Sequence, residues 1–117
     1  MSNVSIDRLT DSTFDAEASG GWVVVEFGAS WCMPCRMLEP VVRQLAASYA
    51  DKVRVMTVDT DSEKALTERF SVSTVPTVLI LNEGELVRRF VGLTTFERLA
   101  SAIEISLQQA NESATGT

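Results

Sequence analysis

The 117-residue sequence contains no histidine and only two cysteines, and these scarcities limit the kinds of site that it can form. Two cysteines supply half of a zinc site, so the missing ligands would have to come from a second copy of the chain. A c-type haem attachment is excluded, because it needs a histidine directly after the second cysteine and Arg36 stands there. Any chemistry at Cys32 and Cys35 must therefore proceed without histidine.

The chain also lacks an excess of positive charge and any long apolar run. Its formal net charge of −6 offers no basic surface for nucleic acid or for an anionic membrane. No stretch resembles a signal peptide or a membrane span, and two cysteines are too few for a disulfide-stapled secreted mini-protein. We therefore expect a cytoplasmic monomer with no nucleic-acid or membrane partner, one domain over residues 1–109 and a disordered tail over 110–117.

The two cysteines lie where a continuous apolar run ends. Residues 22–27 lack alternation and are rich in valine, which is typical of a strand buried on both faces. The pair is thus predicted to lie at a strand-to-helix junction, where unpaired backbone N–H groups and the helix dipole favour a thiolate at Cys32. The helix is indicated by apolar residues that recur at spacings of three and four: Leu38, Val41, Val42, Leu45 and Tyr49.

The later segments predict an α/β fold with a central mixed sheet and helices on both faces. Residues 53–59 are predicted to form a valine-rich strand and residues 77–81 a third buried strand, and a right-handed crossover would make 22–27 and 53–59 parallel neighbours. Residues 82–85 form a hairpin turn that leads into an antiparallel strand over 85–91. We also expect an edge strand at 4–6. The expected helix caps are residues 10–13 for the first helix, Asp61 or Ser62 for a short third helix, and Thr94 with Glu97 as a capping box for the last.

With two residues between them, the cysteines could form a structural disulfide or a redox dithiol. A disulfide that closes so short a loop constrains the unfolded chain very little. A Cys-x-x-Cys pair beside a βαβ pattern is typical of a redox centre in which one thiolate attacks a target disulfide and the other resolves the mixed disulfide. The pattern favours redox chemistry and leaves the structural disulfide and the shared zinc site open.

Residues 27–37 (FGASWCMPCRM) resemble the active-site segment of the thioredoxin family. The resemblance runs from about Ile6 to Leu107 and implies the thioredoxin fold and an enzyme that reduces protein disulfides. Later landmarks of that family are matched in order and at its spacing by residues 58–61 (VDTD), 72–77 (VSTVPT), 82–85 (NEGE) and 91–92 (VG).

By this resemblance, Cys32 is the exposed nucleophile and Cys35 is the buried resolving thiol. The family has a buried acid at the position of Glu26, which would accept the proton of Cys35; a strand-end carboxylate that reaches water is the alternative. The resemblance also implies a cis peptide bond between residues 75 and 76, which would put a backbone edge beside the cysteines. The docking surface for substrates would be formed by Trp31, Val75, Pro76 and Gly92.

Three residues depart from the family pattern near the site. Met33 lies between the cysteines where thioredoxin itself has glycine, and Gly28 stands where an aromatic residue is common. Thr57 replaces a lysine that usually neighbours the buried acid, so Glu26 is expected to be protonated more readily. Pro34 restricts the active-site loop and, with Met33, is expected to influence the balance between dithiol and disulfide.

The resemblance further implies that the protein binds no cofactor or metal and cycles between a dithiol and a Cys32–Cys35 disulfide. A flavoprotein similar to thioredoxin reductase would restore the dithiol with NADPH, and proteins that contain disulfides would be the substrates. Two alternatives stay open. The chain could be an oxidising or isomerising relative, or a binding subunit that holds a partner around Trp31 and Pro76 regardless of redox state.

Overall fold

A five-stranded mixed sheet lies at the centre of the computed structural model, which describes residues 6–115 and, of these, the side chains up to residue 112. The strand order is β1-β3-β2-β4-β5. The elements in chain order are β1 (Asp7–Arg8), α1 (Phe14–Ala18), β2 (Trp22–Gly28), α2 (Met33–Ser48), β3 (Arg54–Asp59), α3 (Lys64–Arg69), β4 (Thr77–Asn82), β5 (Glu85–Val91) and α4 (Phe96–Thr115).

The middle of the sheet is β2, which pairs in parallel with β3 and antiparallel with β4. This confirms the expected parallel neighbours and the mixed sheet. The hairpin between β4 and β5 turns at Glu83 and Gly84, both with positive φ, which favours this tight antiparallel connection. The edge strand is β1, later in the chain than the predicted 4–6; residues 4 and 5 lie outside the described part of the chain.

Each face of the sheet carries its own apolar core, because successive residues of β2 point to opposite sides. Val24 packs with residues of α2 and α4, such as Leu45 and Leu99. Val25 packs on the other face, where the aromatic rings of Phe14 and Phe70 lie in contact. The helices therefore cover both faces, as predicted, and Glu26 shares the face of Val24 that α2 covers.

Two helix starts differ from the sequence prediction. α3 is capped from a distant part of the chain: the Asp11 carboxylate accepts hydrogen bonds from the backbone N–H groups of Ala65 (3.3 Å) and Leu66 (2.9 Å). At the start of α4, Thr95 Oγ1 accepts from the N–H of Arg98 at 3.2 Å. The predicted capping box on Thr94 is therefore wrong by one residue, because the helix begins one residue later than that box requires.

The last helix is also longer than the sequence suggests. A disordered tail was expected from Ala110, and α4 instead continues to Thr115. Polar residues do not end a helix when propensity is adequate and no Gly or Pro intervenes, and the next glycine is Gly116. Residues 116 and 117 lie outside the described part of the chain. None of the helices within residues 6–115 is long and apolar enough to cross a membrane.

Candidate active site

The cysteine pair lies where β2 ends and α2 begins. Cys32 is the N-cap of α2, with an extended backbone conformation, and its Sγ accepts a hydrogen bond from the N–H of Cys35 at 3.2 Å. Pro34 occupies the first turn, where its missing N–H leaves no hydrogen bond unmade. A sulfur held at a helix N-terminus by a backbone N–H is stabilised as a thiolate, so the local structure lowers the cost of ionising Cys32.

The sulfur atoms of Cys32 and Cys35 are bonded to each other, and their Cα atoms are 5.3 Å apart, within the usual range for a disulfide. Their burial is the reverse of the expectation. Cys32 is only 3% exposed, whereas Cys35 is half-buried. The prediction of an exposed Cys32 and a buried Cys35 is therefore wrong for this disulfide form, because a loop covers the first sulfur and an open cleft borders the second.

The loop that covers Cys32 carries the cis Val75–Pro76 peptide bond implied by the family resemblance. Cys32 Sγ lies 3.7 Å from the carbonyl oxygen of Val75. The N–H of Gly92 donates to the carbonyl oxygen of Pro76 at 2.8 Å, so Gly92 lies beside this loop. Pro76 is buried and Val75 is half-buried, and the structure thus brings these three predicted residues together on one side of Cys32.

An exposed apolar surface surrounds this side of the disulfide. Trp31 is 68% exposed, and its Nε1 donates to Asp61 Oδ2 at 2.8 Å, which fixes the orientation of the indole. The sequence analysis did not single out the residues that extend this surface. Met37 follows Met33 by one helical turn, and Val91 and Leu93 flank Gly92. Among the described residues, the large apolar side chains that are half exposed or more are Trp31, Met33, Met37, Val91 and Leu93.

On the other side of the disulfide, a cleft of about 420 Å³ reaches Cys35 and Glu26. Both side chains meet over the bare Cα of Gly28. A Cβ at that position would lie 2.6 Å from Glu26 Oε2 and 3.3 Å from Cys35 Sγ, so the two atoms are within about 6 Å of each other. The carboxyl group and the sulfur are close enough to exchange a proton through one bridging water.

Glu26 is half-buried in the middle of the sheet face that α2 covers. Burial raises its pKa from the ordinary 4.5 to about 7, and the negative charge of Glu39 adds to the shift. Thr57 is the register partner of Glu26 on β3 and offers no compensating charge. A carboxyl group with this pKa both accepts and returns a proton near neutral pH, as general acid–base catalysis requires.

The sequence model of the thioredoxin family, described simply as Thioredoxin, matches residues 5–105. The chain belongs to the thioredoxin family. The thioredoxin of Staphylococcus saprophyticus is 37% identical over 101 residues, which cover 86% of this chain and 97% of that protein. The thioredoxins of Staphylococcus haemolyticus and Staphylococcus aureus are 35% and 33% identical, with the same coverage of this chain and of each protein.

The fold also matches that of a solved structure. One such structure comes from work on the thiol-resolving mechanism of yeast mitochondrial 1-Cys peroxiredoxin via glutathione and thioredoxin systems. It matches this chain with a TM-score of 0.78 at 27% identity, over 89% of this chain and 98% of that one. The predicted thioredoxin fold is therefore confirmed.

Membership of the thioredoxin family decides among the uses that the sequence left open for the cysteine pair. The protein is a thiol–disulfide oxidoreductase that works by dithiol exchange at Cys32 and Cys35. Within the described residues, no group of three or more His, Cys, Asp or Glu side chains is placed to hold a metal ion. The family implies disulfides as substrates and a reductase as a partner in general terms.

Proposed function

We propose that this thioredoxin-family protein reduces disulfides in other proteins, with Cys32 as the nucleophile and Cys35 as the resolving thiol. The observation that carries the proposal is the position of Cys32 Sγ. This sulfur accepts a hydrogen bond from the N–H of Cys35 at the start of α2. It also lies close to the carbonyl oxygen of Val75, beside the exposed apolar surface. Cys35 lines the cleft on the other side of the disulfide, next to Glu26.

In the first step, the Cys32 thiolate attacks one sulfur of the target disulfide. A bond forms between Cys32 and that sulfur, the target S–S bond breaks, and the second target sulfur leaves as a thiolate that takes a proton. In the second step, the Cys35 thiolate attacks Cys32 Sγ. The Cys32–Cys35 disulfide forms, the mixed disulfide breaks, and the reduced target is released with two electrons gained.

Glu26 supports the second step, because Cys35 must lose its proton before it attacks. Its carboxyl group lies next to Cys35 across Gly28 and, with a pKa raised to about 7 by burial, is partly ionised at neutral pH. The proton of Cys35 passes to this carboxylate and leaves through the cleft. Glu26 then acts as a general base for Cys35, with a pKa close to the pH at which the protein works.

The docking surface of the proposal comprises Trp31, Val75, Pro76 and Gly92, with Met33 and Pro34 in the active-site loop. Open backbone edges bind an extended chain through main-chain hydrogen bonds. The Val75 carbonyl lies 3.7 Å from Cys32 Sγ, so a chain that binds this edge is supported in a position where its cysteine meets the nucleophile. The exposed apolar side chains around it would contact residues that flank the target cysteine.

The partners of the proposal follow from the family. Proteins that contain disulfides are the substrates, and a flavoprotein similar to thioredoxin reductase restores the dithiol with electrons from NADPH. The chain works as a monomer without a bound cofactor. A cytoplasmic location, and the absence of nucleic-acid and membrane partners, stay predictions from the sequence.

The experiment that tests the proposal is a measurement of the reduction potential of the Cys32–Cys35 pair in defined thiol–disulfide buffers. We expect a two-electron transition at a reduction potential well below that of the cytosolic glutathione pool. A protein that reduces other disulfides needs such a low potential. A potential well above that of the pool would instead indicate an oxidising or isomerising relative. A pair that does not titrate at all would leave only a binding role.

A further inference from the structure

Two methionines lie in the first turns of α2, next to the disulfide. Met33 stands between the two cysteines and Met37 follows it by four residues, so both side chains lie on one face of the helix. They are 62% and 58% exposed. Because helical side chains lean towards the helix N-terminus, Met37 leans towards Met33 and the active-site loop. The pair therefore contributes two neighbouring thioether groups to the exposed apolar surface that includes Trp31.

A thioether is an apolar group that one reaction makes polar. A peroxide transfers one oxygen atom to the sulfur of methionine, and the resulting sulfoxide is polar and disrupts methionine-rich interfaces. The reaction needs a sulfur that the peroxide can reach. Met33 and Met37 meet this condition, whereas Met56 is only 1% exposed and packs in the core on the face of the sheet that α2 does not cover.

The redox state of the cysteines decides when the methionines react. In the dithiol form, the Cys32 thiolate is the stronger nucleophile and reacts with peroxide first. In the disulfide form, the two cysteine sulfurs are bonded to each other and Cys32 is covered. The methionine pair then offers exposed thioether sulfur at the site, so the oxidised protein is the form that peroxide modifies there.

We propose that Met33 and Met37 are a modification site for hydrogen peroxide, and that their conversion to sulfoxides weakens the docking of protein substrates. In each reaction, the sulfur lone pair takes one oxygen of the peroxide, the O–O bond breaks, and the other oxygen leaves as water. The sulfur loses two electrons and the peroxide gains them. The inference rests on the docking surface of the proposed function and adds a state in which part of that surface is polar.

The weaker docking follows from the loss of apolar contact. A sulfoxide oxygen is a hydrogen-bond acceptor, and it must give up water when an apolar residue of the substrate covers it. The exchange chemistry depends on other groups: the N–H of Cys35, which donates to Cys32 Sγ, and the carbonyl oxygen of Val75. These backbone groups do not change when the methionines are oxidised, so the effect is expected on substrate affinity and not on the chemical step.

The first part of the test measures which methionines react. The disulfide form of the protein is treated with hydrogen peroxide and digested with trypsin. Met33, Met37 and Met56 fall in three different tryptic peptides, so mass spectrometry gives a separate rate for each. We expect Met33 and Met37 to be oxidised at least about tenfold faster than Met56. Equal rates for all three would overturn the inference.

The second part compares the modified and untreated proteins as reductants, with dithiothreitol as the electron donor. We expect KM for insulin to rise roughly three- to tenfold with kcat unchanged, since only apolar docking contacts are lost. The rate with the small bis(2-hydroxyethyl) disulfide should change less than about twofold, because that probe needs no docking surface. Methionine sulfoxide reductases that act on the two epimers should restore the original KM. An unchanged KM, or a parallel fall in both rates, would contradict the inference.

Two double variants make the same comparison without relying on peroxide alone. Met33→Gln with Met37→Gln places polar groups of similar length on the surface, whereas Met33→Leu with Met37→Leu keeps apolar groups that peroxide does not oxidise. We expect KM for insulin to be about three- to tenfold higher in the glutamine variant than in the leucine variant. Peroxide should change the KM of each variant by less than about twofold. Equal KM values, or a leucine variant that peroxide still weakens, would count against the methionine pair.

The two proposals fail in different ways. If the untreated protein does not reduce insulin, the proposed function is wrong whatever the methionines do. If the protein reduces insulin with the same KM before and after Met33 and Met37 are oxidised, the proposed function stands and the role of the methionine pair is wrong.

Discussion

The two sides of the Cys32–Cys35 disulfide differ in almost every physical property. On the Cys32 side lie the Val75 carbonyl and exposed apolar side chains, and the sulfur itself is covered. On the Cys35 side lies a charged cleft with a carboxyl group whose pKa is raised to about 7. The proposed function accordingly gives the two thiols, three residues apart, different tasks: the docking of a protein chain on the Cys32 side and the transfer of a proton on the Cys35 side.

The largest expected effect comes from replacement of either cysteine by serine. Each variant should lose at least roughly 10³-fold in turnover of a disulfide-bonded protein such as insulin, since exchange needs both thiols. Only Cys35→Ser should accumulate a covalent mixed disulfide with a protein substrate, detected on non-reducing gels. If Cys32→Ser trapped protein substrates instead, the docking side and the proton side would have been assigned the wrong way round.

Glu26→Gln should abolish a large pH dependence of stability. The folded protein keeps the Glu26 proton up to pH about 7, whereas an ordinary carboxyl group, as in the unfolded chain, releases it near 4.5. The folded state therefore binds more protons in this window, and the free energy of unfolding falls as the pH rises from 4.5 to 7 and is level above it. The loss is about 3 kcal/mol, from roughly 1.4 kcal/mol for each pKa unit between 4.5 and about 7.

The measurement is urea unfolding of the oxidised protein at pH 4 and pH 8, where no thiol titrates. Glu26→Gln should be about as stable as the unaltered protein at pH 4 and more stable by about 3 kcal/mol at pH 8. Glu39→Gln is the matched control, because it removes only the smaller, Coulombic cause of the shift. Parallel pH profiles for the Glu26 variant and the unaltered protein would show that the carboxyl group is solvated.

Gly28→Ala should destabilise the protein by about 1–3 kcal/mol, because the new methyl group would lie 2.6 Å from Glu26 Oε2. Glu26→Ala in the same chain should relieve this cost, whereas Glu26→Gln, which has the shape of glutamate, should not. Chemical denaturation of the three single and two double variants measures the interaction. Additive effects of Gly28→Ala and Glu26→Ala would mean that the two side chains do not meet over this glycine.

The smallest effect is expected on the docking side, at the hydrogen bond between Trp31 Nε1 and Asp61. Asp61→Ala frees the exposed indole and should raise KM for a protein substrate about two- to fivefold with kcat unchanged, the loss of one exposed hydrogen bond. Asp61→Asn keeps an acceptor and is the control. Steady-state kinetics distinguish this outcome from a fall in kcat, which would place the contact in the exchange step itself.

Much of this site could be predicted from local patterns. Three local patterns predict their elements: the valine-rich run of β2, the helical spacing after the cysteines, and the turn residues at 83 and 84. Each pattern depends only on residues that are close together in the sequence. The resemblance added the cis bond before Pro76, which the structure confirms. The helix caps were less predictable. Asp11 caps α3 from more than 50 residues away, so no local pattern contains it.

By itself, the sequence determined that Cys32 and Cys35 face each other at the start of a helix that follows a buried strand. That arrangement depends on a Cys-x-x-Cys spacing and on hydrogen bonds along the chain. Only the tertiary structure decided which sulfur is covered and which is open. Val75 covers Cys32 from 43 residues away, and the missing side chain of Gly28 leaves Cys35 and Glu26 beside a cleft. Burial is set by the residues that pack from elsewhere in the chain, and burial raises the pKa of Glu26, the proposed base for Cys35.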